Sequence, residues 1–104
     1  MNDTEYHQLA DDVLMQLQDA VDEIEFDLDY ETAGGIVEIL FPNGSKIIVN
    51  KQAPLQQLWV ATKFNGHHFE YKDGVWIDNR TNQEFWTLLN DAGSKQAGEE
   101  IKFN

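Results

Sequence analysis

The chain of 104 residues contains no cysteine. This absence excludes disulfide bonds, thiolate catalysis, zinc fingers and cysteine-ligated iron–sulfur clusters. No apolar run approaches the roughly 18–20 residues that a membrane-spanning helix requires. The opening segment MNDTEYHQLADD has neither the basic nor the apolar region of a signal or transit peptide. We therefore expect a soluble, cytoplasmic protein that does not bind a membrane.

Basic residues are scarce, with 7 Lys and Arg against 19 Asp and Glu, which gives a net charge of −12. Residues 1–31 hold 11 acids and no Lys or Arg, or −11, whereas residues 32–104 hold 8 acids and 7 bases, or −1. Charge concentrated in this way predicts a surface for a cationic partner, either a metal ion or a basic protein. It would repel nucleic acid, and we expect it to keep the protein monomeric without metal.

The apolar content is sufficient for one folded domain despite the charge. Hydrophobic residues make up 41% of the chain and aromatic residues 12%, which argues against global disorder. There is no internal repeat and no linker rich in Pro, Gly or Ser. We therefore predict a single domain over residues 1–104.

An amphipathic helix is predicted over residues 3–23, with Asn2 as its N-cap and Glu5 in a capping-box position. Apolar residues recur there at steps of three and four residues, as in one buried helical stripe. The stripe consists of Tyr6, Leu9, Val13, Leu17, Val21 and Ile24. Acidic residues occupy the other faces of this helix.

The hydrophobic period changes from 3.6 to 2 over residues 24–31, where apolar and acidic residues alternate. A strand here would place all its carboxylates on one face and all its apolar side chains on the other. The carboxylates are Glu25, Asp27, Asp29 and Glu31, and the apolar residues are Ile24, Phe26, Leu28 and Tyr30.

Further strands are predicted by alternation and by turn residues such as Asn65-Gly66 and Asp73-Gly74. These strands cover residues 36–41, 46–50, 58–62, 67–72 and 75–78. A second helix is predicted to start at a capping box, with Thr81 as N-cap and Glu84 at N3, and to end at Gly98. Residues 99–103 are predicted to add a short last strand. The fold class is therefore α+β, a two-layer sandwich of two helices packed on one face of an antiparallel sheet of about six strands.

Carboxylates on a strand are predicted to form several weak metal sites. Residues two apart on a strand are separated by about 6.6 Å, too far to close tightly around one ion. Each site would therefore supply one or two carboxylates to a hard, mostly hydrated cation. His7 could add a ligand beside Asp3 or Asp11. The alternative interpretation is a solvated acidic face that binds no ligand.

The sheet carries one aromatic residue with a possible binding role. If Leu58 and Val60 face the core, Trp59 faces water, and an exposed Trp favours a protein contact. The alternative is that Trp59 packs against neighbours on the same face. His67 and His68 are predicted to point to opposite faces and are interpreted as structural. The sequence lacks a GxSxG, HExxH or phosphate-binding glycine motif, so we expect a protein that is not an enzyme.

The sequence resembles the frataxin family, in particular its bacterial members, over essentially the whole chain. Besides the acidic junction between helix and strand, several segments carry the resemblance. They are residues 2–11, 43–48, 54–63, 68–69, 76–77, 85–89 and 96–99. The resemblance implies an α+β sandwich that binds iron weakly at surface carboxylates, where other hard or borderline cations can replace it. It also implies a role in iron–sulfur cluster assembly, as an iron donor, sensor or regulator that binds the cysteine desulfurase and the scaffold machinery.

The family's functional residues are carried over by position. The implied metal ligands are Asp3, His7, Asp19, Asp22, Glu23, Glu25, Asp27, Asp29 and Glu31. The implied partner-binding residues are Asp11, Asp12, Asp22, Glu23, Glu25, Asp27, Gln57 and Trp59, of which Gln57 and Trp59 match exposed positions on the family's sheet. Two other functions stay open. One is a ferroxidase, although that chemistry prefers two irons in a helical bundle core; the other is an electrostatic protein-binding module in which metal binding is incidental.

Overall fold

A computed structural model describes all 104 residues as two helices and six strands. The elements are α1 (Asp3–Glu23), β1 (Asp29–Ala33), β2 (Ile36–Leu40), β3 (Lys46–Gln52), β4 (Gln57–Ala61), β5 (Gly66–Lys72), β6 (Val75–Asp78) and α2 (Phe85–Ala97). A short 3₁₀ helix, Ala53–Leu55, joins β3 to β4. The strands form one antiparallel sheet in chain order, which confirms the predicted fold class. Neither helix has the length and apolarity needed to cross a membrane.

Helix α1 begins where the sequence predicts, because the Asn2 side chain accepts a hydrogen bond from the Glu5 N–H at 2.8 Å. Its buried residues are Tyr6, Ala10, Val13, Leu14, Leu17 and Val21. Two members of the predicted stripe, Leu9 and Ile24, are only half-buried. The buried Tyr6 hydroxyl donates to the Gln57 carbonyl at 2.7 Å and so ties α1 to β4.

The core lies between the helices and one sheet face and contains 21 buried hydrophobic residues. Alternate strand residues such as Val37, Ile39, Ile47 and Val49 supply the sheet side. Helix α2 buries the face that the sequence predicts, which consists of Phe85, Leu88, Leu89 and Ala92. The opposite sheet face has no helix on it.

The first strand is shorter than predicted, since the strand covers Asp29–Ala33 and not residues 24–31. The neighbouring strand β2 sets this limit, because Asp29 pairs with Leu40 at the end of β2. The chain then turns between Phe41 and Ser45. Residues 24–28 have no neighbouring strand with which to form a ladder. Their side chains nevertheless alternate as predicted between exposed acids and half-buried apolar residues.

The predicted start of the second helix is also wrong. Helix α2 begins at Phe85, and Glu84 is its N-cap, with a carboxylate that accepts from the N–H groups of Trp86 and Thr87 at 3.0 and 3.2 Å. Asn82, at φ 61°, is in the left-handed region, which interrupts any helix starting at Thr81. The helix ends at Gly98 as predicted, with a φ of 76°.

The predicted last strand over residues 99–103 does not form. Ile101 and Phe103 are buried, but their N–H groups donate to the side chains of Ser94 and Asn90, each at 2.8 Å. The tail therefore packs along α2, because side chains of the helix satisfy the backbone donors that a strand would use.

Candidate metal-binding and partner-binding surface

Seven exposed carboxylates follow one another where the chain passes from α1 to β1, and together they are here called the carboxylate ridge. They come from the last turns of α1, the segment after it, and β1. The ridge consists of Asp19, Asp22, Glu23, Glu25, Asp27, Asp29 and Glu31. No basic residue lies in the last turn of α1, so the negative end of the helix dipole adds to this charge.

Carboxylates of both the helix and the strand part of the ridge affect the hydroxyl of Tyr30. Its hydroxyl donates to the Asp22 carboxylate at 3.3 Å. The pKa of Tyr30 is raised above 10.0, first by the charge of Asp22, then by partial burial, with Asp19 and Asp29 adding to the effect. Negative charge from both elements therefore disfavours the phenolate.

The ridge carboxylates have no basic partner within the protein. The ion pairs are Lys46–Glu38, Lys51–Asp11, His67–Asp78, Lys72–Glu70 and Lys95–Asp91. None of these pairs includes a ridge residue. The negative charge of the ridge is thus uncompensated and faces solvent.

The ridge does not close into a cage. No group of three or more His, Cys, Asp or Glu side chains comes together in a way that could hold a metal ion. Asp29 and Glu31 pair with Leu40 and Glu38, which puts them on the open face of the sheet, about 6.6 Å apart along the strand. A cation at this surface would keep most of its water.

The other predicted ligands lie apart from the ridge. His7 and Asp19 are separated by twelve residues of α1, or about 18 Å along its axis. Asp3 accepts a hydrogen bond from the Gln56 side chain at 3.2 Å. His7 is exposed, and its ring lies edge-on to Tyr6 with ring centroids 5.2 Å apart. One ion cannot bridge both ends of the helix.

Two predicted partner-binding acids on α1 differ in their surroundings. Asp11 forms an ion pair with Lys51 at 2.7 Å, so its charge is partly neutralised. Asp12 is exposed and has no ion pair or side-chain hydrogen bond. Asp12 is therefore the more available of the two.

Trp59 lies on the open sheet face but is held in place by its neighbours. Its ring stacks on His68 with centroids 4.2 Å apart and planes 9° from parallel. Its Nε1 donates to Gln57 at 2.8 Å, and Gln57 donates to Glu70 at 2.9 Å. Gln57 is only 7% exposed, so the expectation that it lies exposed on the sheet is wrong. Its amide supports Trp59 instead of meeting solvent.

The buried pair of His67 and Asp78 was not found from the sequence. The His67 Nδ1 lies 2.7 Å from Asp78, which is fully buried and also accepts the Arg80 N–H at 2.9 Å. Burial alone would raise the pKa of Asp78, but hydrogen bonds from Arg80, His67 and Thr81 outweigh it and lower the pKa below 3.8. Only the alternation that puts His67 on the face of Phe69 pointed toward this pairing.

The fold and its surface define an acidic α+β sandwich protein. Residues 1–99 match the family model of the frataxin-like domain. The chain is 61% identical over 103 residues to the iron-sulfur cluster assembly protein CyaY of Pseudoalteromonas atlantica (strain T6c / ATCC BAA-1087), covering 99% of this chain and 95% of that protein. The chain therefore belongs to the frataxin family.

Two solved structures agree with this assignment. Frataxin from Psychromonas ingrahamii superposes with a TM-score of 0.92 at 42% identity, over 100% of this chain and 99% of that one. Yeast frataxin gives a TM-score of 0.76 at 28% identity, over 88% of this chain and 80% of that one. The predicted family and the predicted fold are both confirmed.

Proposed function

We propose that this protein takes part in iron–sulfur cluster assembly, binding iron weakly on the carboxylate ridge and docking the cysteine desulfurase there. A relative at 61% identity carries the name of an iron-sulfur cluster assembly protein. The observation that carries the proposal is the ridge itself, seven exposed carboxylates without a basic partner. Such a surface attracts both a hard cation and a basic protein.

Iron is the proposed cargo, held by one or two carboxylates and water at each of several sites. Oxygen ligands favour hard cations, so Mn²⁺, Ca²⁺ or Mg²⁺ would compete for the same positions. Open sites of this kind release their ion readily, which suits an iron donor or an iron sensor and not a store. Asp3 and His7 are proposed as a separate, secondary site.

Partner docking is proposed to use Asp12, the helix end of the ridge and the loop that carries Glu25 and Asp27. Electrostatic attraction of this kind speeds encounter and weakens with salt. Trp59 is proposed as the contact of the open sheet face with the scaffold machinery. Gln57 contributes indirectly, because it fixes the Trp59 indole.

Anaerobic calorimetric titration with Fe²⁺ tests the metal half of this proposal. We expect weak binding, with a dissociation constant of about 10⁻⁴–10⁻³ M, as in the weakest carboxylate sites for calcium. The variant D19N/D22N should bind fewer ions than the native protein, while the control E99Q/E100Q, with the same change in charge, should bind as many. No heat beyond dilution at millimolar iron would contradict iron binding.

Cluster assembly in vitro, with and without this protein across iron concentrations, tests the pathway role. An iron donor accelerates assembly most when iron is limiting, whereas a regulator changes the desulfurase rate at every iron concentration. An unchanged rate under all conditions would refute both roles.

A second candidate is an electrostatic docking module in which metal binding is incidental. The absence of three converging ligands favours this possibility. Partner binding that is unaffected by chelator and weakened by salt would select it. We propose no enzymatic activity for the chain; oxygen-dependent formation of Fe³⁺ with turnover above buffer would instead indicate a ferroxidase.

A further inference from the structure

A groove outside the carboxylate ridge lies between α1, the β5–β6 hairpin and the start of α2. Its volume is about 260 Å³, below the roughly 300–1,000 Å³ of ordinary small-molecule pockets. Three aromatic residues line it, Tyr71, Trp76 and Trp86, together with the apolar side chains of Leu9 and Val13. A volume of this size suits a single side chain of a partner better than a whole small molecule.

The aromatic rings form a corner that exists before any ligand binds. The rings of Tyr71 and Trp76 have centroids 5.2 Å apart and planes inclined by 66°. Trp76 also packs edge-on against Tyr6, with ring centroids 6.3 Å apart, and Trp86 packs edge-on against Phe85, with ring centroids 5.0 Å apart. Aromatic faces attract a cation that lies within about 6 Å of the ring centre.

The charges around the groove have one sign. Asp12 and Glu84 line it, and no Lys, Arg or His does. Asp12 is exposed and unpaired. The Glu84 Oε1 accepts both the N–H and the hydroxyl of Thr87, whereas Oε2 accepts only the Trp86 N–H. Oε2 therefore has a second lone pair free for another donor. The groove therefore favours a cation that also donates hydrogen bonds.

We propose that this groove binds an arginine side chain of a basic partner protein. A guanidinium is planar, weakly hydrated and able to stack on aromatic rings while donating to carboxylates. Its methylene stem would lie on Leu9 and Val13. The inference rests on the proposed docking of a basic partner, with which it shares Asp12, and adds a site that requires neither metal nor the carboxylate ridge.

Titration of the ¹⁵N-labelled protein with a blocked glycine-rich peptide containing one arginine tests the proposal. We expect saturable shifts of the Trp76 and Trp86 indole N–H resonances. A peptide with citrulline, the neutral isostere of arginine, should produce none, and a lysine peptide should bind more weakly. Equal binding of the citrulline peptide, or no saturation by the arginine peptide, would overturn the proposal.

The variant D12N supplies the matched comparison, with E5Q as its control. Both residues are exposed on α1, both changes remove one charge, and the positions are about 10 Å apart along the helix. D12N should weaken arginine-peptide binding about threefold, whereas E5Q should leave it unchanged. Equal weakening by both would show general charge attraction and reject the site. Because neither Asp12 nor Glu5 belongs to the carboxylate ridge, failure here leaves the iron proposal standing.

Discussion

At the scale of single residues, several positions make sense only once distant parts of the chain are brought together. Gly93 lies inside α2, where glycine costs roughly 1 kcal/mol relative to alanine. A Cβ at this position would lie 2.7 Å from a ring carbon of Phe103. The sequence shows that glycine weakens the helix at this position. It does not show that the Phe103 ring leaves no room for a larger residue there.

Replacing Gly93 by alanine should therefore destabilise the protein. The overpacking cost of about 1–3 kcal/mol exceeds the helix-propensity gain of about 1 kcal/mol, so we expect the free energy of unfolding to fall by about 1 kcal/mol in urea titrations. In a F103L background the same change should become neutral or stabilising. Stabilisation by G93A in the native background would contradict the packing described for the tail.

Asp78 should make the stability depend on acid. Its pKa is lowered from 3.8 in the folded state, so its carboxylate stabilises the fold above pH 3.8 and loses this contribution as the pH falls through the lower folded value. We expect D78N to be less stable than the native protein near neutral pH, with a difference that shrinks below about pH 3.8. Urea unfolding at several pH values measures it, and a constant difference would refute this account.

At the scale of elements, periodicity predicted the position of α1 and the direction of side chains, whereas strand pairing determined where β1 begins. The 3.6-residue period located α1 from Asp3 to Glu23, and the exposed acids of residues 24–31 alternate as predicted. The strand itself is shorter because β2 ends at Leu40 and leaves residues 24–28 unpaired. Local pattern determines which way a side chain points, whereas ladder formation depends on where a neighbouring strand turns.

The same limit applies to the candidate site. The ridge acids could be predicted, since their exposure follows from local alternation. The burial of Gln57 and the pairing of His67 with Asp78 could not, because each depends on the register between strands and on neighbours brought in by it. Alternation within β5 places His67 on the face of Phe69, but it does not identify Asp78 as the partner.

Tyr30 provides a titratable probe of the field where α1 meets β1. Since the Asp22 charge is the main cause of its raised pKa, D22N should bring the pKa back toward 10.0. Ultraviolet titration of the phenolate, as the difference between each protein and its Y30F variant, isolates Tyr30 from the other tyrosines. Added Mg²⁺ should lower the pKa in the native protein more than in D22N. An unchanged pKa in D22N would mean that the ridge field does not reach this phenol.

At the scale of the whole molecule, the charge of −12 opposes the compact state. Most of it lies in the first 31 residues, and the ridge has no internal counter-charge. Self-repulsion of this kind destabilises a fold while it attracts cations and basic partners. The acidic surface is therefore expected to cost stability in return for binding.

Salt should accordingly stabilise the protein. Between about 0.01 M and 1 M salt the screening length falls from about 30 Å to 3 Å, which weakens repulsion among the ridge carboxylates. We expect the melting temperature to rise across this range, and to rise less in D19N/D22N, which should itself be more stable at low salt. A melting temperature that falls with salt, or an equal rise in both proteins, would contradict the prediction.

Charge reversal on the carboxylate ridge, compared with charge reversal elsewhere, shows whether the ridge docks the desulfurase. Glu25 and Asp27 are exposed and outside any strand ladder, so the variant E25K/D27K should fold normally. The control E99K/E100K changes two exposed acids of the tail, and each pair of substitutions raises the net charge by four, from −12 to −8.

The measurement is the dissociation constant for the cysteine desulfurase at low salt for the three proteins. We predict that E25K/D27K weakens binding by more than about tenfold, or about 1.4 kcal/mol, while E99K/E100K binds nearly as tightly as the native chain. Equal weakening by the two variants, or native affinity in E25K/D27K, would show that the carboxylate ridge is not the docking surface.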